Sequence, residues 1–128
     1  MSGSNGHQST PLTILVIDDD RMQLQLTSHT LTKANFRVVD AIVTGNQVSF
    51  PEHESPIAIL LDYKLNSSLT TAQIATVLRQ TFPSIPIFLL SGMDALSGDV
   101  AGLVEGFIKK GDAQNLLSTL RAVSQSSY

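Results

Sequence analysis

Apolar residues in this chain form short continuous runs, separated by segments with helical spacing. Five runs predict strands, at 12–17, 37–43, 57–61, 85–90 and 105–109. The first, third and fourth runs contain the longest stretches of continuous apolar residues, which is typical of strands buried on both faces of a parallel sheet. The intervening segments predict helices at 21–34, 44–50, 70–81 and 93–104, and a last helix with Asp112 as its N-cap.

The alternation of strands and helices predicts one α/β domain. Parallel strands need crossover connections, and these are right-handed, so helices cover both faces of the sheet. We therefore expect a doubly wound, flavodoxin-like sheet of five parallel strands in the order 2-1-3-4-5. The domain is predicted to span 12–124, with a disordered tail at 1–11 and a short tail at 125–128.

Two helices carry apolar stripes that predict which side they bury. In the first, Met22, Leu26, His29 and Leu31 lie near helical spacing, and Met22 is predicted to be in the core. In the last, the predicted core stripe is Leu116, Leu117, Leu120 and Val123.

Composition narrows the class of protein. The 128 residues carry a net charge of −3 and contain no cysteine. Disulfides and thiolate metal sites are therefore excluded, and the eight scattered basic residues argue against direct nucleic-acid binding. No apolar run approaches the roughly 18 residues of a membrane span, and the polar start is no signal peptide. We expect a cytoplasmic protein without membrane contact.

Chemically useful residues follow four of the five predicted strands: Asp18-Asp19-Asp20, Asp62, Ser91 and Lys110. A single Asp after a strand is more often a turn residue, but these strand ends all lie on one rim of a parallel sheet. Clustered carboxylates repel by about 4 kcal/mol per pair at 4 Å and an effective dielectric of 20. A hard cation such as Mg²⁺ relieves this repulsion. One carboxylate could then accept a phosphoryl group, with the lysine and hydroxyl binding its oxygens.

The segments that carry these residues resemble the receiver domain of two-component response regulators. The resemblance covers 12–124 and rests on ILVIDDD at 14–20, LLDYKL at 60–65, LLSG at 89–92 and GFIKK at 106–110. In that family, the Asp that ends the third strand accepts a phosphoryl group from the phosphohistidine of a histidine kinase. The resemblance therefore implies that Asp62 is the phosphoacceptor.

Further site residues follow from the same resemblance. It implies that Asp19 binds Mg²⁺ directly, that Asp18 does so through a water, and that Lys64 contributes its backbone carbonyl. It also implies that Lys110 contacts the phosphoryl group, that the Ser91 hydroxyl swings toward it, and that Phe107 follows inward. Asp20 is left as a cap of the first helix, and Lys64 and Met93 are predicted to tune the lifetime of the phosphoryl group.

The implied function is a phosphoacceptor switch that catalyses only its own phosphotransfer and dephosphorylation. Its expected partners are a histidine kinase or phosphotransfer protein upstream and an unidentified protein downstream, with homodimer formation left open. Two alternatives remain. One is a degenerate receiver that only docks other proteins, and the other is a haloacid-dehalogenase-type phosphatase. The phosphatase class needs an acidic pair after the lysine, and only Asp112 follows here.

Some positions depart from the family pattern. Related receivers usually have proline after the lysine, often with a cis peptide bond, whereas Gly111 stands here. A cis bond before a residue other than proline costs about 2.5–4 kcal/mol, so we expect none. Ser67, Ser68 and Thr71 stand where related receivers tend to have glycines, which predicts an altered loop after Asp62.

Overall fold

The computed structural model describes residues 11–44, 47–49, 55–63, 70–92, 100 and 102–126. Its strands are β1 (Leu12–Ile17), β2 (Phe36–Asp40), β3 (Ile42–Thr44), β4 (Gln47–Ser49), β5 (Ala58–Asp62), β6 (Ile87–Ser91) and β7 (Gly106–Lys109). Its longer helices are α1 (Arg21–Lys33), α2 (Thr71–Thr81) and α3 (Ala113–Ser126).

Five of these strands form a parallel sheet in the order β2-β1-β5-β6-β7. Numbered along the chain within this sheet, the order is 2-1-3-4-5, so the predicted topology is confirmed. The three runs with the longest apolar stretches are the central strands β1, β5 and β6, as expected from burial on both faces. Register is set so that Ile17 of β1 lies beside Leu61 of β5, which brings the ends of these strands to the same level.

Alternate residues of the central strands build two core layers, one on each face of the sheet. One layer packs against α2, and its members include Leu15, Ile17, Ile59, Leu61, Ile74 and Leu78. The other packs against α1 and α3, and its members include Ile14, Val16, Leu60, Leu31, Leu116 and Leu120. Helices therefore cover both faces, and Leu116 and Leu120 of the stripe predicted in the last helix are buried.

Local hydrogen bonds explain where the helices begin. The Asp20 side chain accepts two backbone N–H groups of the first turn of α1, which confirms its predicted capping role. Thr70 caps α2 in a capping box, because its hydroxyl accepts the Gln73 N–H while the Gln73 side chain accepts the Thr70 N–H. Asp112 accepts the N–H of Asn115 at 3.0 Å, as predicted for the last helix.

The short helix predicted at 44–50 is wrong, and so is the continuation of the second strand to residue 43. The strand β2 ends at Asp40, and β3 and β4 then form a separate antiparallel pair in which Thr44 lies beside Gln47. The sequence signal for this hairpin was the dipeptide Gly45-Asn46, a recognised two-residue connection, with Val43 and Thr44 before it and Val48 shortly after it. Residues such as Val43 and Val48 favour a strand over a helix.

The prediction that Met22 lies in the core is also wrong. Met22 is 72% exposed and Leu26 is 59% exposed, so this side of α1 faces outward. Only Thr27 and Leu31 are buried in α1. Apolar spacing alone could not tell which side of a short, weakly amphipathic helix contacts the sheet.

Several predictions fall on segments that the structure describes only in part. Of the helix predicted at 93–104, residues 93–99 and 101 lie outside the described residues; residue 100 is helical, as predicted, whereas residues 102–104 form turns and a bend. The helix α3 extends to Ser126, beyond the domain boundary placed at 124, and of the predicted amino-terminal tail only Pro11 is described. Among the described residues, none of the helices combines the length and apolar character required to span a bilayer.

An arginine on α2 ties the segment before β7 to the rest of the domain. The Arg79 guanidinium donates to the carbonyls of Ile85 and Leu103 at 3.0 and 3.1 Å, and it pairs with Glu105 at 2.8 Å. Glu105 also accepts the backbone N–H of Ile87. This network joins the end of α2 to the start of β6 and to the residues that lead into β7.

Candidate functional site

Three carboxylates meet at the carboxyl edge of the sheet, where β1 and β5 end side by side. Asp18 and Asp19 directly follow β1, and Asp62 is the last residue of β5 rather than the first residue beyond it. One side-chain oxygen from each of the three lies within 4.8 Å of the others. Asp62 is almost completely buried, at 2% exposure, whereas Asp19 is exposed.

Lys110, which follows the edge strand β7, brings its ammonium group to the same cluster of carboxylates. The Lys110 Nζ lies 2.7 Å from Asp62 Oδ1, and the exposed fractions of the two side chains are 27% and 3%. The backbone N–H of Lys110 donates to the Ser91 carbonyl at 2.8 Å, which extends the pairing of β6 with β7 by one residue. This bond positions Lys110 beside Asp62. Its exposed neighbour Lys109 lies one residue too early in the chain to occupy that position.

The other predicted site residues are described unevenly. Ser91 is the last residue of β6, next to β5, and it is 1% exposed. Phe107 is on β7 and 37% exposed. Their switching roles stay predictions, and Lys64 and Met93 lie outside the described residues.

The chain directly after Asp62 is held by two hydrogen bonds that the sequence did not reveal. The Tyr63 N–H donates to the carbonyl of Leu90 at 2.9 Å. The Tyr63 carbonyl accepts a hydrogen bond from the Thr71 hydroxyl at 2.7 Å. A bond between residues eight positions apart has no local sequence signature, so only the folded chain shows it.

Asp18 is the carboxyl whose ionisation the site perturbs most clearly. Burial raises the pKa of Asp18 from 3.8 to about 6, and the negative charge of Asp62 acts in the same direction. The N–H of Asp20, which donates to Asp18 Oδ1 at 2.9 Å, and the charge of Lys110 oppose the rise in pKa. Within the described part of the chain, Asp18 Oδ2 is buried and has no hydrogen-bond partner.

The oxygen set fits a divalent cation. Three carboxylates offer only hard oxygen ligands, which suits Mg²⁺, and the buried Asp18 Oδ2 finds no hydrogen-bond partner among the described residues. A cation there would relieve the mutual repulsion of the carboxylates and could bind Asp18 Oδ2. Asp18, Asp19 and Asp62 are the described residues that would hold it.

The raised pKa of Asp18 predicts a pH-dependent stability in the metal-free protein. Between about pH 4 and 6 the folded state holds a proton on Asp18 that the unfolded state has released, so the free energy of unfolding falls as pH rises. Urea unfolding with a chelator should show this fall in the wild type relative to Asp18→Asn. Parallel pH profiles for the two proteins would contradict the prediction.

Comparison with known proteins places these features in a family, although no protein-family model matches the chain. It is 26% identical over 96 residues to the probable transcriptional regulatory protein TcrX of Mycobacterium tuberculosis, covering 75% of this chain and 41% of that protein. It is 30% identical over 117 residues to the response regulator MprA of Mycolicibacterium vanbaalenii, covering 88% and 50%. The chain therefore spans about half the length of the curated relatives it matches.

A solved structure shares the fold. The CheY-like response regulator receiver domain protein from Methanospirillum hungatei superposes with a TM-score of 0.75 at 20% sequence identity, covering 91% of this chain and 97% of that one. The sheet order is thus that of a flavodoxin-like receiver fold. Together with the sequence similarity to response regulators, it identifies the chain as a receiver domain of two-component signalling.

Proposed function

We propose that this receiver domain takes a phosphoryl group onto Asp62 from the phosphohistidine of a histidine kinase or phosphotransfer protein, in a Mg²⁺-dependent reaction. The observation that carries the proposal is the setting of Asp62. Its carboxylate is buried at a strand end, 2.7 Å from the Lys110 ammonium and within 4.8 Å of two further carboxylates. An aspartate with only a structural role would be stabilised by the lysine, but it would not be stabilised by two further negative charges beside it.

The transfer is a displacement at phosphorus. A carboxylate oxygen of Asp62 forms a bond to phosphorus while the bond from phosphorus to the imidazole nitrogen breaks, and the nitrogen keeps the electron pair. Lys110 then binds a phosphoryl oxygen with its ammonium, and the hydroxyl of Ser91 donates to another. A bound Mg²⁺ would neutralise charge on the carboxylates and on the phosphoryl oxygens.

The acyl phosphate on Asp62 adds negative charge at the rim of the sheet. Ser91 and Phe107 move toward the site in response to that charge. Their movement shifts the domain between two conformations and changes its contacts with other proteins. The domain acts on no separate substrate and catalyses only the gain and loss of its own phosphoryl group. The similarity to response regulators supports a histidine kinase as the upstream partner and a cytoplasmic location.

Intact-mass measurement after incubation with a small phosphodonor tests the proposal. The wild type should gain one phosphoryl group in Mg²⁺ and none with a chelator, because the carboxylates repel an incoming anion unless a cation offsets their charge. Mapping the modified peptide after mild proteolysis should place the group on Asp62.

Folded protein that binds Mg²⁺ and still gains no mass would contradict the proposal and favour a receiver that only docks partners. Steady release of phosphate from a phosphomonoester would instead indicate a phosphatase.

A further inference from the structure

Thr71 links the helix α2 to the residue next to Asp62. Its hydroxyl donates to the Tyr63 carbonyl at 2.7 Å, and both residues are partly buried. On its other side, Tyr63 donates its N–H to Leu90 of the neighbouring strand at 2.9 Å. The backbone immediately after Asp62 is therefore held from two directions, by the sheet and by the helix.

The helix does not need this hydroxyl for its own stability. Thr70 and Gln73 already cap the first turn of α2, with hydrogen bonds of 3.1 and 2.8 Å. The other threonines of α2, Thr76 and Thr81, donate to carbonyls four residues earlier in the helix, which is the common local arrangement. Thr71 alone among the three directs its hydroxyl to a carbonyl outside the helix.

Holding the Tyr63 carbonyl constrains the site because the peptide bond is planar. The Tyr63 N–H belongs to the peptide group shared with Asp62, and the Tyr63 carbonyl belongs to the group that follows. With one held by Leu90 and the other by Thr71, the backbone at Tyr63 is fixed on both sides of its Cα. The orientation of the Asp62 side chain depends in turn on the backbone that carries it. A carboxylate that must meet a cation and attack phosphorus needs that orientation to be set in advance.

We propose that Thr71 is a positioning residue for the phosphoacceptor, and that its hydroxyl holds the backbone at Tyr63, the residue after Asp62, in the geometry that lets Asp62 bind the divalent cation. The inference deepens the proposed function and rests on it. Residues that orient metal ligands through hydrogen bonds commonly change metal affinity by roughly 10–100-fold when they are removed. Thr71 acts in this way through Tyr63, without touching the carboxylate.

Three variants isolate the hydroxyl. Thr71→Val removes it at nearly constant shape, Thr71→Ser keeps it, and Thr76→Val removes an equivalent hydroxyl of the same helix, which donates to the Ala72 carbonyl within the helix. Affinity for Mg²⁺ is followed by tyrosine fluorescence, since Tyr63 is one of two tyrosines and the chain has no tryptophan. Amide hydrogen exchange at Tyr63, measured by NMR without metal, reports the positioning itself.

We expect Thr71→Val to weaken Mg²⁺ binding about tenfold. Exchange of the Tyr63 amide should become roughly two- to tenfold faster, as the loss of one hydrogen bond would predict. Thr71→Ser should restore both values, and Thr76→Val should match the wild type. If Thr71→Val fails to fold, Thr71→Ala removes the same hydroxyl with a better helix former.

Equal exchange rates and Mg²⁺ affinities for Thr71→Val and Thr76→Val would overturn the inference, while phosphorylation of the wild type would leave the proposed function standing. The reverse pattern separates the two ideas. A wild type that takes no phosphoryl group, with faster Tyr63 exchange in Thr71→Val, would reject the function and keep the positioning role.

Discussion

Asp62→Asn is expected to abolish phosphoryl uptake while leaving the domain folded. An amide has the shape of the carboxylate but lacks the nucleophilic oxygen. The lost attraction to Lys110 at 2.7 Å is about 6 kcal/mol at an effective dielectric of 20. The two relieved repulsions, from carboxylate oxygens that lie within 4.8 Å, are on the order of 3.5 kcal/mol each. Because the lost attraction and the relieved repulsions are similar in size and opposite in sign, the free energy of unfolding should change little.

Asp20 provides a matched control for this variant, because it directly follows Asp18 and Asp19 in sequence but does not belong to the cluster of three carboxylates. Asp20→Asn makes the same chemical change, and asparagine serves equally well as the N-cap of α1. Intact mass should therefore show full uptake in Asp20→Asn and none in Asp62→Asn. Uptake by Asp62→Asn at the wild-type level would show that another residue accepts the group.

Lys110→Met is expected to destabilise the domain by about 2–4 kcal/mol at neutral pH. Removal of one partner of a buried ion pair leaves the other charge without compensation, and here Asp62 would face only further carboxylates. The upper end of this range is reduced because the lysine side chain keeps 27% exposure, so water screens part of its charge. Urea unfolding with a chelator measures the change.

Lys109→Met is the control, since Lys109 is adjacent and exposed. Its loss should change stability less than the loss of Lys110, because water screens the interactions of an exposed charge. Added Mg²⁺ should stabilise Lys110→Met more than the wild type, because the cation replaces the missing positive charge. Equal losses for the two lysine variants would mean that the pair with Asp62 does not stabilise the fold.

The meeting of Asp18, Asp62 and Lys110 was predictable because parallel strands leave little freedom. Once β1 and β5 are recognised as central strands, their carboxyl ends must lie together, and so must the residues that follow. The same rule placed Ser91 beside them. The family resemblance and the order of the strands do not depend on where the helices lie. Errors in the predicted helices therefore did not affect the prediction of the site.

The missed features depend on contacts between distant segments. Met22 fits a helical stripe, yet whether a residue on that stripe meets the sheet depends on how the helix is rotated. The bond from Thr71 to Tyr63 requires the loop between them to return to its start, which no local pattern encodes. The hairpin of β3 and β4 differs from these, because Gly45-Asn46 did signal it and the helical interpretation overlooked that signal.

Gly111 directly follows Lys110 and has a φ of +87°, in the region that side chains rarely adopt. An added Cβ would meet nothing within 4 Å, so the constraint is on the backbone rather than on space. Proline, which related receivers usually carry after the lysine, needs φ near −65° and cannot take this conformation. Gly111→Pro would therefore require a different turn after Lys110, and the backbone that presents the lysine to Asp62 would have to change with it.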